Sequence, residues 1–152
     1  MAAVTAVSRN PAFFGQGRVP DTLEGRFEVM TLNAALALMR LQAEPDLRPL
    51  AQAFTDQLFR QFDSGLRETG VSDTAVPKRM HKLASSFYGR LGAYSASIEA
   101  ADVPALADAI SRNTRAHEAE PLAAYVLAVA QAQGARPALA LLETDGWPAP
   151  PR

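Results

Sequence analysis

An all-α fold is what this sequence of 152 residues predicts: a single-domain helical bundle of about six helices, with no sheet. Three observations carry that reading. Alanine is abundant and β-branched residues are scattered, which favours helix over strand. Apolar residues recur at steps of three and four in successive segments, and nowhere do apolar and polar residues alternate for long. Prolines and glycines fall between those segments, where helices start and stop.

The elements follow in order. Residues 1–9 are expected to be disordered, and residues 10–145 to form the helical domain. Asn10-Pro11 predicts a short helix carrying Phe13 and Phe14, stopped by Gly15 and Gly17. Asp21 is the expected cap of a long helix to about Ala43, with Glu24 placed as its capping-box partner. Val29 to Leu41 is apolar nearly all round except Asn33 and Arg40, which puts this helix at the centre of the bundle. It is too short to span a bilayer. Pro45 ends it, and Asp46 opens a second long helix to about Glu68, with Leu47, Leu50, Phe54, Leu58, Phe62 and Leu66 facing inward. Gly70 reads as the left-handed stop. Asp73 or Thr74 is placed to cap the next helix. Asp102 and Pro104 start another, Pro121 to Gly134 gives one more, and Pro137 to Glu143 a last short one. Residues 146–152 read as a proline-rich tail without regular structure.

Val76 to Tyr94 is the most informative stretch. It holds both lysines of the chain, Lys78 and Lys82, together with Arg79 and Arg90, and no acid lies between Asp73 and Glu99. Val76, Met80, Leu83, Phe87, Leu91 and Tyr94 form a buried stripe, and at about 100° per residue the cations fall mostly on the other side. Such a helix packs on one face and offers a cationic face to something anionic; an ordinary solvated face accounts for the same pattern. Gly89 and Gly92 weaken this helix, which points to close approach of another backbone or ligand, or to two tight helix crossings. Tyr88 points away from the stripe with its hydroxyl free for a surface. Phe13, Phe14 and Phe87 are apolar contact candidates, although packing into the bundle explains Phe13 and Phe14 more simply.

Composition bounds the function. With 15 basic and 16 acidic residues, the chain is no globally charged nucleic-acid binder, and no DNA partner is expected. The absence of cysteine excludes disulfides, thiolate metal sites and cysteine nucleophiles. No apolar run reaches membrane-spanning length and no signal peptide is evident, so the expected location is cytoplasmic or peripheral to the inner membrane. His81 and His117 are far apart. His117, Glu118 and Glu120 do not share the helical spacing of a zinc site. No phosphate loop or nucleophile elbow is present. No catalytic residues, metal or cofactor are expected, and stable haem ligation by this chain alone is not expected either.

Two segments then carry a resemblance. VPDTLEGRFEVMTLNAALALMRL (residues 19–41) and LFRQFDSGLRETGVSDTAVPKRMHKLASSFYGRLGAY (residues 58–94) resemble the ubiquinol-cytochrome c chaperone family, in its short alphaproteobacterial form related to the mitochondrial assembly factor for respiratory complex III. The specific pieces are the turn with Leu66, Arg67, Glu68, Gly70, Val71 and Asp73, the VPKRM start, and FYGR with the following AY. They occur in family order over roughly residues 10–98. The resemblance implies an all-α assembly chaperone, not an enzyme, whose client is newly made cytochrome b. A small partner subunit, the ribosome or an anionic membrane surface are the other partners it implies. On this reading Arg67, Lys78, Arg79, Lys82, Tyr88 and Arg90 form the binding surface. The alternative from the residues alone is a helical adaptor or dimerisation module for a soluble partner; a small enzyme acting on a phosphorylated or lipid substrate is the third.

Overall fold

A computed structural model describes residues 1–150, and among them six α-helices and short 3-10 segments make up the regular structure. The helices are α1 (Ala2–Ser8), α2 (Leu23–Gln42), α3 (Arg48–Glu68), α4 (Val76–Glu99), α5 (Val103–Thr114) and α6 (Glu120–Gly134). The described residues hold no strand, only an isolated bridge between Phe14 and Val19. Proline occupies the first turn of α3, α4, α5 and α6, where its missing N–H would have had no helical partner.

The helix that is apolar all round is indeed central. Every residue from Thr31 to Leu38 is buried, and α2 packs against each of the other five helices. Asn33 and Arg40 have specific partners. Asn33 Nδ2 donates to Ser8 Oγ at 3.0 Å, Tyr125 Oη donates to Asn33 Oδ1 at 3.3 Å, and Ser8 Oγ donates to the Val4 carbonyl at 2.7 Å. This buried chain ties α1, α2 and α6 together. Arg40 lies along the end of α6, donating to the Gln133 and Arg136 carbonyls at 2.8 and 3.0 Å and pairing with Glu44. A cation there satisfies carbonyls that a helix C-terminus leaves open.

The structure corrects several expectations. Residues 1–9 are not disordered: α1 docks on α2 and buries Ala3, Val4 and Ser8. A helix of 7 residues is marginal alone, so its order comes from tertiary contact that no local signal reveals. Thr22, not Asp21, caps α2, its Oγ1 accepting from Gly25 N at 3.0 Å; Asp21 pairs with Arg26 instead. Neither Asp73 nor Thr74 caps α4, whose first residue follows Ala75 without a side-chain cap. The chain end is more ordered than a loose tail from residue 146 onward. Thr144–Gly146 forms a 3-10 turn, and Trp147 is buried with Nε1 donating to the Leu141 carbonyl. Pro151 and Arg152, the end of that expected tail, lie outside the described residues. The stop at Gly70 (φ 79°) and the cap at Asp102, whose Oδ1 accepts from Ala105 N at 2.9 Å, are as expected.

Candidate functional site

The site is built around α4. Its apolar stripe does what the spacing predicts: Val76, Phe87 and Tyr94 are buried, and Met80, Leu83 and Leu91 pack against the core at its edge. Phe87 belongs to an aromatic cluster with Phe59 and Phe62 of α3 and Phe27 of α2. Burial holds the Tyr94 hydroxyl up at about 12, where it accepts from Asn113.

The candidate binding residues divide into three groups. Lys78, Arg79 and Lys82 are exposed and form no ion pair among the described residues. Tyr88 is 48% exposed, its ring braced on one side by Phe59 and Phe87. Arg67 and Arg90 are already engaged. Arg67 is exposed and held by Asp63 at 2.8 Å and by Asp73, and those partners, the Asp63 hydrogen bond first, raise its already high pKa. Arg90 is only 15% exposed and donates to Glu28 Oε1 at 2.7 Å, which fixes α4 to α2. Burial pushes the Glu28 carboxyl above its ordinary range, and Arg90 pulls it partly back. Arg90 is therefore a fastening of the bundle, not a free contact.

Phe13, Phe14 and Phe87 are withdrawn from the surface too. Phe13 and Phe87 are 1% exposed, and Phe13 stacks edge-on against Tyr125 at 5.1 Å. Phe14 is covered as well, with the Arg26 guanidinium over its ring. None offers a face to a client.

What the sequence did not reveal is a groove of about 620 Å³ between α2, α4 and α6. Leu36, Met39, Leu91 and Ala130 supply its apolar walls, and Tyr88, Ser95, Glu99, Arg40 and Gln133 its polar edge. Gly92 opens into it, and a Cβ built at Gly89 or Gly92 would meet no atom within 4 Å. The two glycines are thus not tight crossings of this chain. They leave room beside α4 for something else. Tyr88 at the groove's edge lies on the same helix as Lys78 and Lys82, with exposed His81 and Ser85 between them. Arg40 and Gln133 were missed as site residues, because only tertiary packing brings α2 and α6 to this side of α4; Glu99, on α4 itself, lies beyond the basic stretch that marked the helix. Among the described residues no group of three or more potential metal ligands is clustered, and no helix is long and apolar enough to cross a membrane.

Comparison with known proteins places this surface in context. The family model described as ubiquinol-cytochrome C chaperone matches residues 16–146. The crystal structure of the Cbp3 homolog from Brucella abortus superposes with a TM-score of 0.84 and 43% identity, covering 95% of this chain and 83% of that one. No curated protein gives a significant match.

Proposed function

The chain belongs to the ubiquinol-cytochrome c chaperone family, and from that premise we propose that it binds newly made cytochrome b and shields it until the cytochrome bc complex takes it up. The observation that supports a client contact here is the open apolar groove beside α4, on the same helix as exposed lysines that have no ion-pair partner among the described residues. A membrane-protein client exposes apolar helices before assembly, and a groove of this kind holds a helix by side chains at i, i+3, i+4 and i+7. The cations suit an anionic counterpart next to the client's apolar segment, whether on the client itself, on lipid headgroups at the inner membrane or on the ribosome. The action is binding, and no catalytic step is assigned to it.

The test is affinity capture of tagged protein from detergent-solubilised native membranes, with bound proteins identified by mass spectrometry. Cytochrome b is expected with the wild type, and its recovery falls with Lys78→Glu plus Lys82→Glu while the melting temperature does not fall. Recovery of soluble proteins only would favour a helical adaptor and remove the client assignment.

A further inference from the structure

Besides its buried stripe, α4 carries a second periodic row. Ser85, Tyr88, Gly92, Ser95 and Glu99 follow one another at alternating steps of three and four, and the same row runs back through His81 to Lys78. That is the spacing by which one helix lays a seam along another. Apart from half-buried Ser95, every residue of the row is exposed, so the chain itself does not cover the seam. Ser85, Gly92 and Ser95 lie on either side of Tyr88 in it, and these small residues let a second backbone approach closely beside the ring.

An independent observation points to an occupant. Gln133 is 4% exposed and lines the same groove from α6, yet its amide Nε2 has no hydrogen-bond partner. A buried donor without an acceptor is destabilising; turned toward the groove, this amide would donate to a carbonyl or hydroxyl of an occupant. The charges then give the occupant a direction. Lys78, with Lys82 beside it, marks one end of the seam, and Glu99, bonded only to Ser95 among the described residues, marks the other. This order opposes the helix dipole of α4, which favours acids at the start and bases at the end. Groups placed where they weaken their own helix are explained by what docks on them. From Lys78 to Glu99 the seam runs about 32 Å at the helical rise, close to the ~30 Å of hydrocarbon that a spanning helix crosses.

We infer that seam and groove together hold one apolar helix of membrane-spanning length, its acidic end at Lys78 and Lys82 and its basic end at Glu99. The inference rests on the client reading above and adds the shape and polarity of the segment held. An anionic lipid surface fits less well, because it would be repelled at the Glu99 end.

The test uses three fluorescent leucine–alanine peptides of about 20 residues in neutral detergent, titrated against the intact protein. One has a glutamate pair at one end and a lysine pair at the other; the others have glutamates, or lysines, at both ends. The mixed peptide is expected to bind about tenfold tighter than either uniform one. Lys78→Glu with Lys82→Glu weakens it, Glu99→Lys weakens it, and all three changes together restore it, because the peptide then binds turned round. Gly92→Leu, which fills the groove, abolishes binding of all three peptides. Should that variant lose its helical circular dichroism, Tyr88→Ala at the groove edge takes its place, with weakened binding expected. If blocking the groove leaves binding untouched, both the client site and this inference fall. If blocking works but the charge changes have no effect, only the polarity falls. Phosphatidylglycerol vesicles that need Lys78 and Lys82 when the peptides do not would assign the cations to lipid and overturn the inference.

Discussion

Arg90 and Glu28 show how a residue's surroundings decide its role. In the sequence Arg90 is one more cation on a basic helix, but its partner lies 62 positions away on α2. The pair is incompletely satisfied, since Arg90 Nε and Glu28 Oε2 have no hydrogen-bond partner. Removing Arg90 leaves a buried carboxylate without its counter-charge, so Arg90→Ala is expected to cost about 3 kcal/mol, read from urea unfolding. The raised Glu28 carboxyl adds a pH dependence. Its folded form holds the proton more tightly than the unfolded chain does. Glu28 therefore contributes stability that is full below its ordinary value of 4.5 and is lost as pH rises through the folded-state value. Glu28→Gln should flatten that part of the stability–pH curve, which begins at 4.5 and runs upward. A steeper curve in the variant would contradict the assignment. Lys78 and Lys82, by contrast, have no carboxylate partner among the described residues, so their charge reversal is expected to leave the protein at least as stable, with a gain of up to about 1 kcal/mol from glutamate in the first turn of α4.

At the scale of the element, glycines separate structure from function. Gly25 sits in the first turn of α2 where an added Cβ would collide with the Pro20 carbonyl. Gly25→Ala is expected to destabilise by roughly 2 kcal/mol, because backbone must move. Gly89 and Gly92 face open space, so alanine there should stabilise the free protein by about 0.5–1 kcal/mol through helix propensity. Thermal melting of the three variants checks both signs. A loss at position 92 would mean that α4 bends or packs there in a way the open groove does not show. The buried stripe of α4 and the central place of α2 were legible because each is written in local periodicity. The cap of α2 was missed by one residue, since Asp21 and Thr22 both have capping side chains and only Arg26 draws Asp21 away. Helix α1 was missed because its support, Asn33, lies 25 positions beyond Ser8.

At the scale of the molecule, the bundle puts one helix in service on both sides. The stripe of α4 locks it to α2, α3 and α5, while its outer face stays uncovered from the basic start to Glu99. The cationic half of that surface was legible in the sequence as an absence of acids between Asp73 and Glu99. The apolar half was not, since Met39 and Ala130 come from two other helices and look like core until the fold leaves them half-exposed, with buried Leu36 in the same wall. The same packing removed Phe13, Phe14 and Phe87 from the surface, where sequence alone allowed them to be contacts. The absence of cysteine makes the most direct test simple, because any introduced thiol is unique. Gly92→Cys in the groove and Leu139→Cys on an exposed 3-10 turn that does not line it are each loaded with a photoactivatable thiol reagent and illuminated in native membranes during synthesis of the bc complex. A cytochrome b adduct from position 92 and none from position 139 is the predicted result. Adducts of equal yield from both positions, or none from position 92, would contradict a client held in the groove beside α4.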